Sequence, residues 1–244
     1  MIEKTEKIIA NIIPEFLIDP GFFDTPEHQA RLAAGKAEEA KKQQAEQRRR
    51  ICATAIPECF FKPYDPEYWP AGWNAAQQFL ASWTQGKRAH NLILCGSSGT
   101  GKSHLAADVL LKILKADFRV YWFNTELYKT LLMDGINDSH SRGMALEMFR
   151  KALQTDVLVL DDLAKKGSHY TDGKTTSWDA HKLYLIAEKR RMKCTIVTCE
   201  WDLRDREVIN RLTVATVNRL EENALKAVCS YTAPYAHTRK HRNA

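Results

Sequence analysis

Gly96-Ser97-Ser98-Gly99-Thr100-Gly101-Lys102-Ser103 is the stretch that decides how this chain folds. It follows the apolar run Asn91-Leu92-Ile93-Leu94-Cys95 and leads into His104-Leu105-Ala106-Ala107, with leucines again at 110 and 111. Strand, GxxxxGKS, helix is the context that makes the pattern a phosphate-binding loop. The glycines let the backbone bend around an anion and aim its N–H groups inward. The helix that follows adds the positive end of its dipole. Lys102 has the reach for β- and γ-phosphates, and the Ser103 hydroxyl is a hard-oxygen ligand for Mg²⁺. The expected nucleotide-binding set is Gly96, Ser97, Ser98, Gly99, Thr100, Gly101, Lys102, Ser103 and His104, with ATP and Mg²⁺ as cofactors.

Outward from this loop the chain alternates. Apolar runs predict strands at 91–95, 118–123, 157–161, 194–199 and 226–231. Helices are expected between them at 102–115, 125–133, 142–154, 175–192 and 204–222, with another at 75–85 that ends on Gly86. Near-continuous apolar strands separated by helices predict a three-layer α/β fold, a parallel five-stranded sheet covered on both faces. A hydrophobic content of 44% is enough for such a core, and no apolar run approaches the ~20 residues of a membrane span.

The strand Val157-Leu158-Val159-Leu160 ends in Asp161-Asp162. A strand end places these carboxylates at the carboxyl edge of the sheet, beside the phosphate loop. Asp161 is the expected Mg²⁺-shell ligand. Asp162 is the expected catalytic carboxylate, which orients the attacking water or accepts its proton.

With GSSGTGKSHLA, VLVLDDL and SWDAHKLYLIAEKRRMKCTIVT in place, residues 75–231 resemble the AAA+ ATPases of the DnaC/IstB type, which comprise bacterial and phage helicase loaders and transposase helpers. The resemblance implies a P-loop core of AAA+ type without a C-terminal lid, and ATP-dependent assembly into an oligomer that acts on DNA. It implies an arginine donated across subunits: Arg219 in Val217-Asn218-Arg219-Leu220-Glu221 fits best, with Arg211 as the alternate. Where the family places Thr-Ser-Asn after the fourth strand, this chain has Thr198-Cys199-Glu200. Glu200 sits where a carboxylate repels phosphate, which leaves two expectations: either hydrolysis is slow, or Thr198 takes over sensing as the hydrogen-bond donor. The insertion between the second and third strands, which lines a DNA-contacting pore in such proteins, here offers Lys129, Arg142, Arg150 and Lys151. Lys165-Lys166-Gly167 is a further basic candidate. The partners implied are a replicative helicase and single-stranded DNA; the alternatives are a transposase helper on duplex DNA, and a nucleotide-gated binding module with negligible turnover.

The remaining sequence frames this core. Residues 1–60 read as a helical, partner-docking extension, 61–232 as the ATPase domain and 233–244 as a basic tail. Thr25-Pro26-Glu27 is a helix start with a capping hydroxyl and proline in the first turn, and the helix is expected to run to about Arg50. Residues 56–74 hold four prolines and six aromatics, which predicts an extended strap with the aromatics as packing anchors. The net charge of +6 suits a polyanionic partner without demanding one. The six cysteines form no CxxC pair, the first residues lack a signal-peptide pattern, and a reducing cytoplasmic setting is expected.

Overall fold

The computed structural model describes residues 26, 29–39, 41, 55–86, 90–164 and 177–229. The chain divides into two compact units, 1–53 and 54–244. In the first, residues 29–39 are helical and exposed, in keeping with apolar positions that are almost all alanine.

The second unit carries five strands: β1 Asn91–Gly96, β2 Val120–Asn124, β3 Val157–Leu163, β4 Cys194–Cys199 and β5 Ala224–Cys229. All pair in parallel, in the order β2-β3-β4-β1-β5. The helices are α1 Pro70–Thr84, α2 Lys102–Lys115, α3 Thr125–Asp134, α4 Ser139–Gln154, α5 Ser177–Lys189, α6 Arg206–Leu212 and α7 Val214–Glu221. Side chains alternate across the strands. Ile93, Tyr121, Leu158, Leu160 and Val197 join a core with Leu131 of α3, Ala145 of α4, Leu183 and Ile186 of α5, and Val217 of α7. The opposite face is covered by α1 and α2. The expected three-layer parallel fold is the observed one.

Four expectations need correction. Helix α1 starts at Pro70 rather than 75, because proline at the first helical position gives up only an N–H that has no partner there. The helix expected at 142 starts at Ser139, where the Asp138 carboxylate accepts from the N–H groups of His140 and Ser141. The single helix expected over 204–222 is two helices. Thr213, at φ 79°, breaks it and caps α7 by accepting from Thr216 N–H. The last strand also lies two residues earlier than expected, at Ala224–Cys229.

The strap is not a plain extended run. It makes two short 3-10 turns, Glu58–Phe60 and Pro66–Tyr68. Its aromatics do act as anchors. Trp69 is buried against Gly72, where a Cβ would stand 2.3 Å from the indole. Tyr64 stacks on Trp73 with centroids 6.1 Å apart, and Lys112 of α2 lies 4.5 Å over that ring. At the other end of the sheet, buried Arg190 donates to the carbonyls of Ala152, Thr155 and Cys194 at 2.7, 2.9 and 2.6 Å. It thereby caps the last turn of α4 and ties it to β4. Burial pulls its guanidinium down to about 10, still cationic at neutral pH.

Candidate nucleotide site

The phosphate loop leaves β1 at Gly96, whose φ of 146° brings its backbone against β5: an added Cβ would meet the Cys229 carbonyl at 2.7 Å. Gly99 and Gly101 both sit at φ 84°, in the left-handed region that glycine enters without steric cost. The loop is closed from within. Thr100 Oγ1 donates to Ser97 O at 2.9 Å, and Lys102 Nζ donates to the same carbonyl at 2.8 Å. The first intrahelical bond of α2 runs from Leu105 N–H to Gly101 O. The amides of Lys102, Ser103 and His104 belong to the first turn, whose N–H groups have no intrahelical partner and suit an anion.

The His104 side chain turns the other way. Its Nε2 lies 2.6 Å from Lys62 O, and its ring packs on Phe60 and edge-on to Tyr64. It therefore pins the strap to the helix that carries the loop.

The second half of the site stands at the ends of β3 and β4. Asp161 Oδ1 accepts from Ser103 Oγ at 2.8 Å and from Thr198 Oγ1 at 2.7 Å. The Thr198 hydroxyl in turn accepts from Asp162 N–H at 2.9 Å. Asp162 itself takes φ 52°, and the β3–β4 register breaks between Leu160 and Leu163. A non-glycine residue held there costs about 1–3 kcal/mol and persists only where its surroundings over-determine it. Thr125, whose Oγ1 donates to Asp161 O at 2.9 Å, is part of those surroundings; in the sequence it shows only as a polar residue at a helix start after a strand.

The electrostatics follow burial. Burial raises the Asp161 carboxyl above its ordinary range, against the hydrogen bonds from Thr198 and Ser103. Burial lowers the Lys102 ammonium, opposed by Asp162, Glu200, Cys199 and Asp161 in that order. Glu200 thus acts on the same lysine as the two aspartates. Burial also lifts the Cys95 and Cys199 thiols to about 12 and about 11, so both serve as small apolar groups.

The other expected residues are not gathered here. Arg219, on α7, pairs with Glu188 of α5 and lies 3.7 Å from Glu222. Arg211 donates to Ala164 O at 3.1 Å, just beyond the β3 aspartates. Lys129 pairs with Glu126 at 3.0 Å and Lys151 with Glu147 at 3.5 Å. Arg142 donates to the carbonyls of Gly135 and Ile136 at 2.9 and 3.2 Å, bracing the α3–α4 turn, and Arg150 is exposed on α4. Here lies a groove of about 780 Å³ whose lining includes Tyr128, Leu131, Met133, Ile136, Leu146 and Phe149, with Arg142 and Lys182 as its two cations, so this face is more apolar than basic. Lys165-Lys166-Gly167 and the tail 233–244 fall outside the described residues. Among the described residues no helix is long and apolar enough to cross a membrane.

Residues 33–223 match the family described as IstB-like ATP binding protein. Over 75 residues, 31% of this chain, it is 31% identical to an insertion sequence IS21-like ATP-binding protein of Bacteroides fragilis, and the match spans 27% of that relative's length. The crystal structure of DnaI superposes with a TM-score of 0.54 at 19% identity, covering 72% of this chain and 95% of DnaI. AMPPCP-bound DnaA from Aquifex aeolicus gives 0.51 at 15% identity, covering 74% of this chain and 53% of that one. At these identities the two structures show a shared fold.

Proposed function

The chain belongs to the IstB-like ATP-binding family, and from that premise we propose that it is a slow, Mg²⁺-dependent ATPase that hands a replicative helicase to single-stranded DNA. The observation that carries the ATPase part is the convergence on Asp161. One carboxylate oxygen joins the loop serine, the β4 threonine and, through Thr198, the backbone of Asp162. AMPPCP, the ligand of the DnaA structure, is an ATP analogue, which supports the same reading.

The loop amides and Lys102 bind the triphosphate. Ser103 and Asp161 are hard oxygen donors that fit Mg²⁺, and the ion would neutralise charge on the β- and γ-phosphates when bound. Asp162 aligns the attacking water and takes its proton. Arg219 is assigned to the site of a neighbouring copy, where it would stabilise charge on the transferred phosphoryl group. That role requires it to leave Glu188. The extension 1–60 is assigned to the helicase, and the basic tail, with the exposed Arg150 of α4, to DNA.

Phosphate release measured with single-stranded and with duplex DNA tests this. Turnover stimulated by single strands, abolished in Asp162→Asn, with ATP binding lost in Lys102→Ala, is the expected result. No turnover with either DNA refutes the ATPase reading. Stimulation by duplex DNA alone favours the second reading, a transposase helper, for which the IS21-like relative is the specific observation.

A further inference from the structure

Thr125 is the first residue of α3 and is buried, with 1% of its surface exposed. Its hydroxyl turns away from its own helix. Oγ1 donates to Asp161 O at 2.9 Å and lies 3.1 Å from Asp162 O. Thr198 approaches the same place from β4, where its Oγ1 accepts from Asp162 N–H at 2.9 Å. The Asp161 carbonyl and the Asp162 N–H are two ends of one peptide unit. Two threonines from two different elements therefore hold a single peptide plane, one by its acceptor and one by its donor.

That plane matters because a planar peptide leaves only φ and ψ to aim the residue that follows it. Asp162 is held at φ 52°. An aspartate enters this region more readily than most residues but does not settle there unaided. If the plane turns over about the Cα–Cα axis, the Asp162 Cβ stays nearly in place but its φ leaves the left-handed region, and with it change the side-chain rotamers open to its carboxylate, because allowed rotamers depend on backbone φ and ψ. Asp161 is less exposed to that change, because its carboxylate is fixed separately by Ser103 and Thr198.

We propose that Thr125 is a positioning residue for ATP hydrolysis: its hydroxyl locks the Asp161–Asp162 peptide plane and so aims the Asp162 carboxylate at the water. The proposal rests on the ATPase reading above for its kinetic consequence, and on the peptide plane alone for its structural one.

The test uses the full chain with Thr125→Val, which removes the hydroxyl and keeps the branched shape, and Thr125→Ser, which restores it. Thr125→Val is expected to lower kcat at least tenfold while the Kd for a fluorescent ATP analogue stays within twofold, and Thr125→Ser to return turnover to the wild-type range. Wild-type turnover in Thr125→Val overturns the proposal. So does loss of nucleotide binding together with turnover, or a serine variant as slow as the valine. If the wild-type protein releases no phosphate, the ATPase reading fails and the plane is read directly from ¹³C′ and ¹⁵N shifts of the Asp161–Asp162 peptide. Shifts that move in Thr125→Val and return in Thr125→Ser support the lock; shifts that stay put overturn it.

Discussion

Replacing Thr198 by valine removes two hydrogen bonds with one atom. Thr198 is fully buried, and its hydroxyl donates to Asp161 Oδ1 at 2.7 Å while accepting from Asp162 N–H at 2.9 Å. Valine keeps the branched shape, so little of the effect comes from packing. The Asp162 amide is left without that acceptor, a loss of about 1–3 kcal/mol for a buried group. The Asp161 carboxylate loses a charge-assisted bond of about 1.5–3 kcal/mol but keeps the one from Ser103. Partial relaxation sets the expected destabilisation near about 3 kcal/mol, or a fall in Tm of roughly 6–12 °C for a unit of this size. The same substitution takes away the strongest of the interactions that hold the Asp161 carboxyl down. Its pKa in the nucleotide-free protein rises further. Thermal unfolding at neutral pH and a carboxyl-carbon NMR titration of Asp161 without nucleotide read both effects, with Thr198→Ser as the variant that keeps both hydrogen bonds. A valine protein that melts within about 2 °C of wild type, with an unshifted Asp161 titration, refutes the reasoning.

Three further outcomes are expected. Because burial raises the Asp161 carboxyl, its contribution favours folding below the ordinary carboxylate range and is lost as pH rises through the raised value; Asp161→Asn is therefore expected to raise Tm of the nucleotide-free protein at pH 8, with the gain vanishing below about pH 4, while MgATP turnover is lost. Glu200→Gln removes one carboxylate acting on Lys102 and is expected to tighten ATP binding by roughly fivefold to thirtyfold, the worth of about 1–2 kcal/mol for one charge at an effective dielectric near 20; weaker binding by titration calorimetry contradicts it. Arg219→Ala and Lys102→Ala proteins, each inactive alone, are expected to regain turnover when mixed, since one supplies the loop and the other the arginine; no recovery in the mixture places the arginine's role within its own chain.

The order of elements was readable because each depends on a local pattern. The β1, β3 and β4 runs are buried at nearly every position and mostly apolar, since both faces of a central parallel strand are covered. Boundaries were harder where a cap, not a change of hydrophobicity, ends an element. Thr213 is such a case. The run from Arg206 to Glu221 keeps helical spacing, yet the chain breaks at a threonine with φ 79°. The sign was there in Thr213-Val214-Ala215-Thr216, a hydroxyl residue placed to cap the following turn. Arg190 is the opposite case. In Ala187-Glu188-Lys189-Arg190-Arg191 it looks like one surface cation among several, and only the packed carbonyls of α4 and β4 distinguish it.

The site divides along the same line. Lys102, Ser103, Asp161 and Asp162 were legible because phosphate chemistry demands those residue types at those places in a strand-loop-helix unit. What joins them was not. Thr125 and Thr198 are separated from the aspartates by more than thirty positions each, and no spacing rule links a helix start, a strand end and a peptide plane. Thr198, at the start of the run Thr198-Cys199-Glu200 that closes the fourth strand, reads from the sequence as a donor toward phosphate, whereas its proton goes to Asp161. This changes how the Glu200 departure reads. With Thr198 committed to the aspartates, Glu200 is not a substitute for a missing donor but an extra negative charge acting on Lys102. Its effect should therefore fall on nucleotide affinity before it falls on the chemical step. Measuring Kd and kcat separately in Glu200→Gln tests this: a change confined to kcat, with Kd unmoved, would overturn the assignment of Glu200 to nucleotide affinity.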